Sequence, residues 1–271
     1  MYYSNIPIWL GNRLTESGFR KIDINLVEKS VDEYSDMEGN IILFSCSNIS
    51  NHTQAGNTLD NLYANLEKFK VKKIIYLSNY GVYSPKYQNS YSENDRLDAL
   101  TFNGSINLLF ENALHFISNK NVNVVVLRVF NLYGPGQTEP YVLSEFINKI
   151  RKNQMVKAGD IKKTRDFVFI DDFLEVIKII IERKLSENYN IYNVGSGKPT
   201  TIKELIRLIE RITNKKAEIS FSPEYIREEY DYDYVVADIK KMQTEMRWTP
   251  KTDIETGIKL TYEWLSGRDQ L

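Results

Sequence analysis

The chain is poor in the residues that build metal and disulfide chemistry. Its 271 residues include one cysteine and two histidines. That excludes an intramolecular disulfide and a cysteine-cluster metal site, and it argues against a zinc centre on His and Cys ligands. No apolar run reaches the roughly 18 residues needed to span a bilayer, and no basic flank with an apolar core opens the chain. We therefore expect no membrane association and a cytoplasmic location. A charge bias is also missing: 35 Lys and Arg against 36 Asp and Glu leave a formal net charge of -1, which offers no bulk attraction to nucleic acid. Glycine is scarce at the front, where only Gly11, Gly18 and Gly39 precede residue 50. The rest is ordinary globular composition, 42% hydrophobic and 26% charged, long enough for one large domain or a large one with a smaller lobe.

Hydrophobic runs alternate with helical patterns. Ile41-Ile42-Leu43-Phe44, Ile74-Ile75-Tyr76-Leu77 and Val122 to Val129 read as buried strands. Leu59, Leu62, Tyr63 and Leu66 mark one intervening helix, and Leu108, Leu109, Ala113, Leu114 and Ile117 mark another. Apolar strands separated by helices predict a parallel sheet covered on both faces, wound by right-handed crossovers. Further on, Val142 to Ile150 predicts a helix, Phe167 to Ile170 a strand, and Asp172 the cap of a helix running to about Lys184. Thr201 with Glu204 fits a capping box, and a last helix is expected from about Asp253 to Leu265. The opening is harder to read: Ile6 to Leu10 is an apolar run containing Pro7, Arg20 to Ile24 suggests a brief strand, and Asn25 to Ser35 a weak helix.

Several of these stretches resemble the extended short-chain dehydrogenases/reductases that epimerise, dehydrate or reduce nucleotide sugars. Ile41 to Ser47 is similar to the family's fourth sheet strand. VKKIIYLSNYGVYS (71–84) resembles the strand and loop that carry the catalytic hydroxyl, RVFNLYGPGQ (128–137) the exit of strand six, and RDFVFIDD (165–172) the border of the sugar-nucleotide pocket. YNVGSG (192–197) and the ending with Trp248, Pro250, Gly257 and Trp264 complete the match. The resemblance implies a Rossmann-like parallel sheet, here incomplete or remodelled, with a smaller C-terminal substrate-binding lobe. We expect the remodelled domain over 1–150 and the lobe over 151–271, with about 165–195 returning to the core.

The sequence departs from the family twice. The GxxGxxG loop that admits a dinucleotide pyrophosphate to a helix N-terminus is absent. Trp9 to Leu14 looks like a remnant of its loop-to-helix turn, with no usable strand before it, and one or two leading βα units are expected to be missing. Ile41 to Phe44 would then lie near an unprotected sheet edge unless the opening segment covers it. The family's Tyr-x-x-x-Lys pair, which places a phenol and an ammonium on one helical face, is represented by Phe102 and Ile106. Its supporting Ser/Thr is represented by Asn79, four positions before Tyr83. Neither phenylalanine nor isoleucine exchanges a proton.

The resemblance leaves Gly11, Ser47 and Ser78 as cofactor-side positions, for NAD or NADP if that cleft is kept, and Asn131, Arg165 and Arg227 as substrate-side positions. Asn131 either contacts the sugar nucleotide or orders the Tyr133-Gly134-Pro135 turn. Either arginine suits a phosphate or a surface ion pair. Tyr80, Tyr83, Tyr87 and Tyr91 are the candidates for a displaced hydroxyl. Tyr230, Tyr232 and Tyr234 alternate with Asp231 and Asp233 as in a half-buried strand, Cys46 reads as a buried small residue, and Lys72 and Lys73 as the end of a helix-to-strand junction. Three readings follow. The first is a noncatalytic homologue that binds a nucleotide sugar or a partner protein in surface-polysaccharide metabolism. The second is an active NAD(P)-dependent epimerase, dehydratase or 4-ketoreductase with a displaced tyrosine. The third is a structural subunit, as a homodimer or paired with an intact relative, or a truncated gene product.

Overall fold

Strand formation follows the β-branched and aromatic runs. In a computed structural model, which describes residues 1–4, 6–21, 41–47, 49–69, 71–85, 89–118, 122–223 and 232–268, three runs form the middle of a parallel sheet: β3 (Ile41–Ser45), β4 (Lys73–Asn79) and β5 (Asn123–Val129). β3 pairs with β4 and β4 with β5, in the registers Ile42↔Ile74 and Ile75↔Val125. Their side chains are buried almost throughout, as expected of strands covered on both faces. Helices α2 (His52–Phe69) and α3 (Phe102–Ser118) are the crossovers.

The opening segment corrects two expectations. A strand does precede the Trp9 to Leu14 stretch: β1 (Tyr2–Ser4) is followed by α1 (Ile8–Glu16) and β2 (Arg20–Lys21). β1 pairs with β2 on one side and with β3 on the other, so β3 is an interior strand, covered by the opening segment. The sheet order is β10-β5-β4-β3-β1-β2, where β10 is Tyr189–Val194. Three buried residues, Tyr2, Tyr3 and Ser4, suffice for a central strand because both neighbours supply its hydrogen bonds. Only Arg20 and Lys21 of the expected Arg20 to Ile24 strand fall within the described residues. The expected helix over Asn25 to Ser35 lies outside them.

The chain divides into two compact units. One comprises Met1–Tyr83, Leu97–Val129 and Lys178–Tyr192; the other comprises Ser84–Arg96, Phe130–Ile177 and Asn193–Leu271. The second unit carries β6 (Asn131–Tyr133), α4 (Val142–Arg151), β7 (Val156–Ala158), β8 (Thr164–Arg165) and β9 (Phe167–Phe169). Helix α5 (Ile170–Glu182) then leads into β10. After it come β11 (Thr200–Thr201), α6 (Ile202–Thr213), β12 (Ile219–Phe221), β13 (Tyr234–Val235) and α7 (Ile254–Gly267). The Thr201–Glu204 capping box opens α6, and Asp253 caps α7 by accepting the Thr256 N–H at 2.8 Å.

Asp172 is a further correction. Helix α5 begins at Ile170, so Asp172 lies inside it, and its carboxylate accepts the backbone N–H groups of Lys251 and Thr252, both at 3.0 Å. It orders a loop 80 residues away rather than capping its own helix. Of the tyrosine strip, β13 includes only Tyr234, and Tyr232 is buried. No helix among the described residues is long and apolar enough to cross a membrane.

Candidate functional site

The carboxyl end of β4 is built on a contact between two glycines. Asn79 ends the strand, and its Oδ1 accepts the Gly81 N–H at 2.8 Å, starting a short 3-10 turn over Tyr80–Val82. A Cβ on Gly104, in the first turn of α3, would sit 2.2 Å from the Gly81 carbonyl oxygen, so helix and turn meet backbone to backbone. That approach sets Asn79 Nδ2 against Asn103 Oδ1 at 2.6 Å. Asn79 and the first turn of α3, which carries Phe102, are therefore held together. Phe102 is 41% exposed, whereas Ile106 is 2% exposed and packs in the core with Phe110 and Leu114. Ile106 is sealed inside apolar surroundings.

Behind this surface runs a chain of neutral polar groups. Asn107 Nδ2 donates to the Asn103 carbonyl at 2.9 Å, and Asn107 Oδ1 accepts the Tyr76 hydroxyl at 2.9 Å. That hydroxyl also lies 3.1 Å from Cys46 Sγ. Burial pushes the Cys46 thiol up to about 11 and Tyr76 well above the ordinary phenol range, so neither supplies a thiolate or phenolate at neutral pH. Ser78 Oγ donates to Glu111 Oε1 at 2.6 Å. Arg128 reaches the same carboxylate through Nε at 3.1 Å and Nη2 at 2.7 Å. Arg128 Nη1 donates to the Tyr83 hydroxyl at 3.1 Å, and the guanidinium lies 4.8 Å from that ring's centroid. Burial opposes the charged guanidinium, yet Glu111 and Tyr83 outweigh it and hold Arg128 above its ordinary range. Ser78 and Tyr83 are thus buried members of an ion-pair network. Ser47 shares a 2.6 Å hydrogen bond with Ser45 just beyond β3.

His52, which no sequence pattern singles out, opens α2 at the surface with its ring centroid 5.3 Å from that of Phe102. Fifty residues separate the two, and only the adjacency of β3 and β4 in the sheet brings their following helices together.

Gly11 lies in the first turn of α1, after the β1–α1 connection. A Cβ there would meet the Tyr3 ring at 3.0 Å, so Gly11 allows α1 to lie close against β1. Counting back in threes from Gly11, the other two positions of a GxxGxxG spacing are Ile8 and Asn5. Ile8 is 79% exposed at the first helical position, and the N-cap is Pro7, which has no N–H to offer. With a branched side chain at the pyrophosphate approach and no lysine at position 106, the residues present do not fit a nicotinamide dinucleotide held in the family's manner.

In the second unit the retained motifs make their own contacts. The Asn131 backbone N–H and side-chain amide both donate to the Asp166 carbonyl, at 3.1 and 2.8 Å, fixing β6 beside β9. Arg165 Nη1 donates to the carbonyls of Thr164 and Tyr232 at 2.9 and 2.7 Å. Asp166 is buried, and its carboxylate gathers the N–H groups of Ser196, Gly197 and Ala237 at 2.6, 2.9 and 3.1 Å. Arg227, Tyr87 and Tyr230 lie outside the described residues.

Residues 111–261 match the family described as GDP-mannose 4,6 dehydratase. The chain belongs to the extended short-chain dehydrogenases/reductases, the NAD-dependent nucleotide-sugar epimerases and dehydratases. Asn79, Phe102 and Ile106 precede the matched stretch of this family member. It is 32% identical over 211 residues to dTDP-4-dehydro-6-deoxyglucose reductase of Escherichia coli, covering 74% of this chain and 65% of the reductase. It spans just under two thirds of the length of three of the curated relatives it matches, 62–65%. Its fold is that of MoeE5, solved in complex with UDP-glucose and NAD, at TM-score 0.82 and 18% identity over 100% of this chain and 99% of that one. It also aligns with a tyrosine-to-phenylalanine mutant of UDP-glucuronic acid 4-epimerase from Bacillus cereus, in complex with UDP-4-deoxy-4-fluoro-glucuronic acid and NAD. That alignment has a TM-score of 0.80 and 21% identity, over 95% and 86% of the two chains.

Proposed function

We propose that this family member binds a nucleotide sugar without performing the family's hydride chemistry. The observation that carries the reading is the pair Phe102 and Ile106 on an intact frame: the backbone that would aim a phenol and an ammonium is kept, while no group there donates a proton or tunes one. The exposed Ile8 and the Pro7 cap at the β1–α1 turn support a chain that works without NAD or NADP. Ligand binding does not require the missing hydroxyl, since the Bacillus cereus mutant carries phenylalanine in place of a tyrosine and was solved with a UDP-sugar and NAD. Substrate-side binding draws on Asn131, Arg165 and Arg227.

Calorimetry with UDP-, dTDP-, GDP- and CDP-sugars tests the reading directly. Saturable heat with one nucleotide class, and none with NAD or NADP at millimolar concentration, is expected. Silence across all four sugar classes removes the binding function, and turnover of any of them with added dinucleotide removes the noncatalytic one. The protein is further proposed to be a homodimer. The exposed side of α3 carries no Asp, Glu, Lys or Arg, and it presents Leu109 and Phe116, 44% and 68% exposed, two turns apart.

A further inference from the structure

Helix α6 buries Leu205, Ile206 and Ile209. Glu204, Arg207, Leu208 and Arg211, spaced i, i+3, i+4 and i+7, share another side of it, and together they line a groove of about 350 Å³. Pro199 and Ile254, the first residue of α7, add to its apolar lining. All six residues belong to the second compact unit. The charges around the groove are unequally engaged. Glu204 is held by its own helix cap, where Oε2 accepts the Thr201 N–H and hydroxyl at 2.8 and 2.7 Å. Arg207 acts on Glu204 through its field, but it makes no hydrogen bond or ion pair among the described residues. Arg211 donates to Glu255 at 2.7 Å, with the two side chains 62% and 54% exposed, and a pair so exposed is worth little. Two guanidinium groups one turn apart can therefore turn to an incoming ligand, and such groups grip carboxylates and phosphates with paired hydrogen bonds. A bare inorganic anion would leave most of this volume and its apolar lining unfilled.

We propose that this groove binds a small organic oxyanion, a carboxylate or phosphate ester whose head lies between Arg207 and Arg211 and whose apolar body packs on Pro199, Leu208 and Ile254. None of these is a residue assigned above to the nucleotide sugar. The groove is a second ligand site, and it stands whether or not the chain binds a nucleotide sugar.

NMR titrations with phenyl phosphate, benzoate, inorganic phosphate and benzyl alcohol test head and body separately. At least one aromatic anion should bind saturably, with inorganic phosphate and benzyl alcohol each roughly tenfold weaker or more. Preference for phenyl phosphate or for benzoate then identifies the head group, and either supports the site. Arg207→Gln should weaken the preferred anion roughly tenfold. Arg207→Lys should weaken it less, since it keeps the charge and loses only the planar fork. Glu255→Gln, which releases Arg211, should tighten it about two- to threefold. Arg207 and Glu255 are exposed, so circular dichroism of the variants should match wild type. Nucleotide-sugar affinity should be the same in wild type and Arg207→Gln, and a nucleotide sugar should not displace the anion, so this site and the proposed function fail separately. Benzyl alcohol binding as tightly as the anions, or an Arg207→Gln chain that binds the anion as wild type does, overturns the site.

Discussion

Ile106 shows how far the corner has moved from its family's chemistry. A lysine restored there would place an ammonium among Phe110 and Leu114, while the buried Glu111 carboxylate is already paired with Arg128. Ile106→Lys should therefore cost roughly 3–5 kcal/mol of unfolding free energy in a urea titration, whereas Phe102→Tyr, at an exposed ring, should stay within about 0.5 kcal/mol of wild type. A chain that had merely lost two side chains by drift from a working site would show the opposite pattern at 106, a tolerant and solvated position. At this scale the sequence was informative about identity and silent about surroundings. Phe102, Ile106 and Asn79 are readable as substitutions. The sealing of Ile106 is not, and neither is the arrival of His52 beside Phe102, because both depend on contacts between segments remote in sequence.

Among the elements, α5 ends on a side chain from the sheet. Lys73 Nζ donates to the carbonyls of Ile180, Ile181 and Arg183 at 2.6, 3.2 and 3.0 Å, placing a cation on the free carbonyls of a helix C-terminus. Burial lowers its pKa, yet the three acceptors make it a cap rather than the simple junction residue its position suggests. Lys73→Met should lower stability by about 1–2 kcal/mol and raise hydrogen exchange first in the last turn of α5. The caps of α6 and α7 predict acid sensitivity. Hydrogen bonds from the Thr201 backbone and hydroxyl hold Glu204 below its ordinary 4.5, and the Thr256 N–H holds Asp253 below 3.8. Groups depressed on folding stabilise above the unfolded pKa and stop doing so as pH falls through the folded one. The melting-temperature gap between wild type and Glu204→Gln should therefore shrink from about pH 6 to about pH 3. The capping box was legible because its two residues lie three apart. The true partners of Asp172 were not, being 79 and 80 residues downstream, and β1 was missed because Tyr-Tyr-Ser forms no apolar run.

For the whole molecule, the parallel core was legible from three hydrophobic runs, and the family from motifs spread along the chain. The front was misjudged because a strand of three residues earns its place from its neighbours, not from its own composition. The uncharged outer side of α3 supplies the test at this level. Light scattering should give twice the 31.7 kDa chain mass, and Phe116→Glu, which puts two like charges at a self-paired surface, should return it to the single-chain value. A wild-type chain already at 31.7 kDa would remove the homodimer. The place of β1 has a practical consequence for anyone handling the protein. In a parallel sheet every strand starts at the same end, so an affinity handle fused ahead of Tyr2 leaves from the edge opposite His52, Asn79 and Phe102. A chip or bead holding the molecule by that handle would keep the carboxyl ends of the strands turned toward the flowing solution.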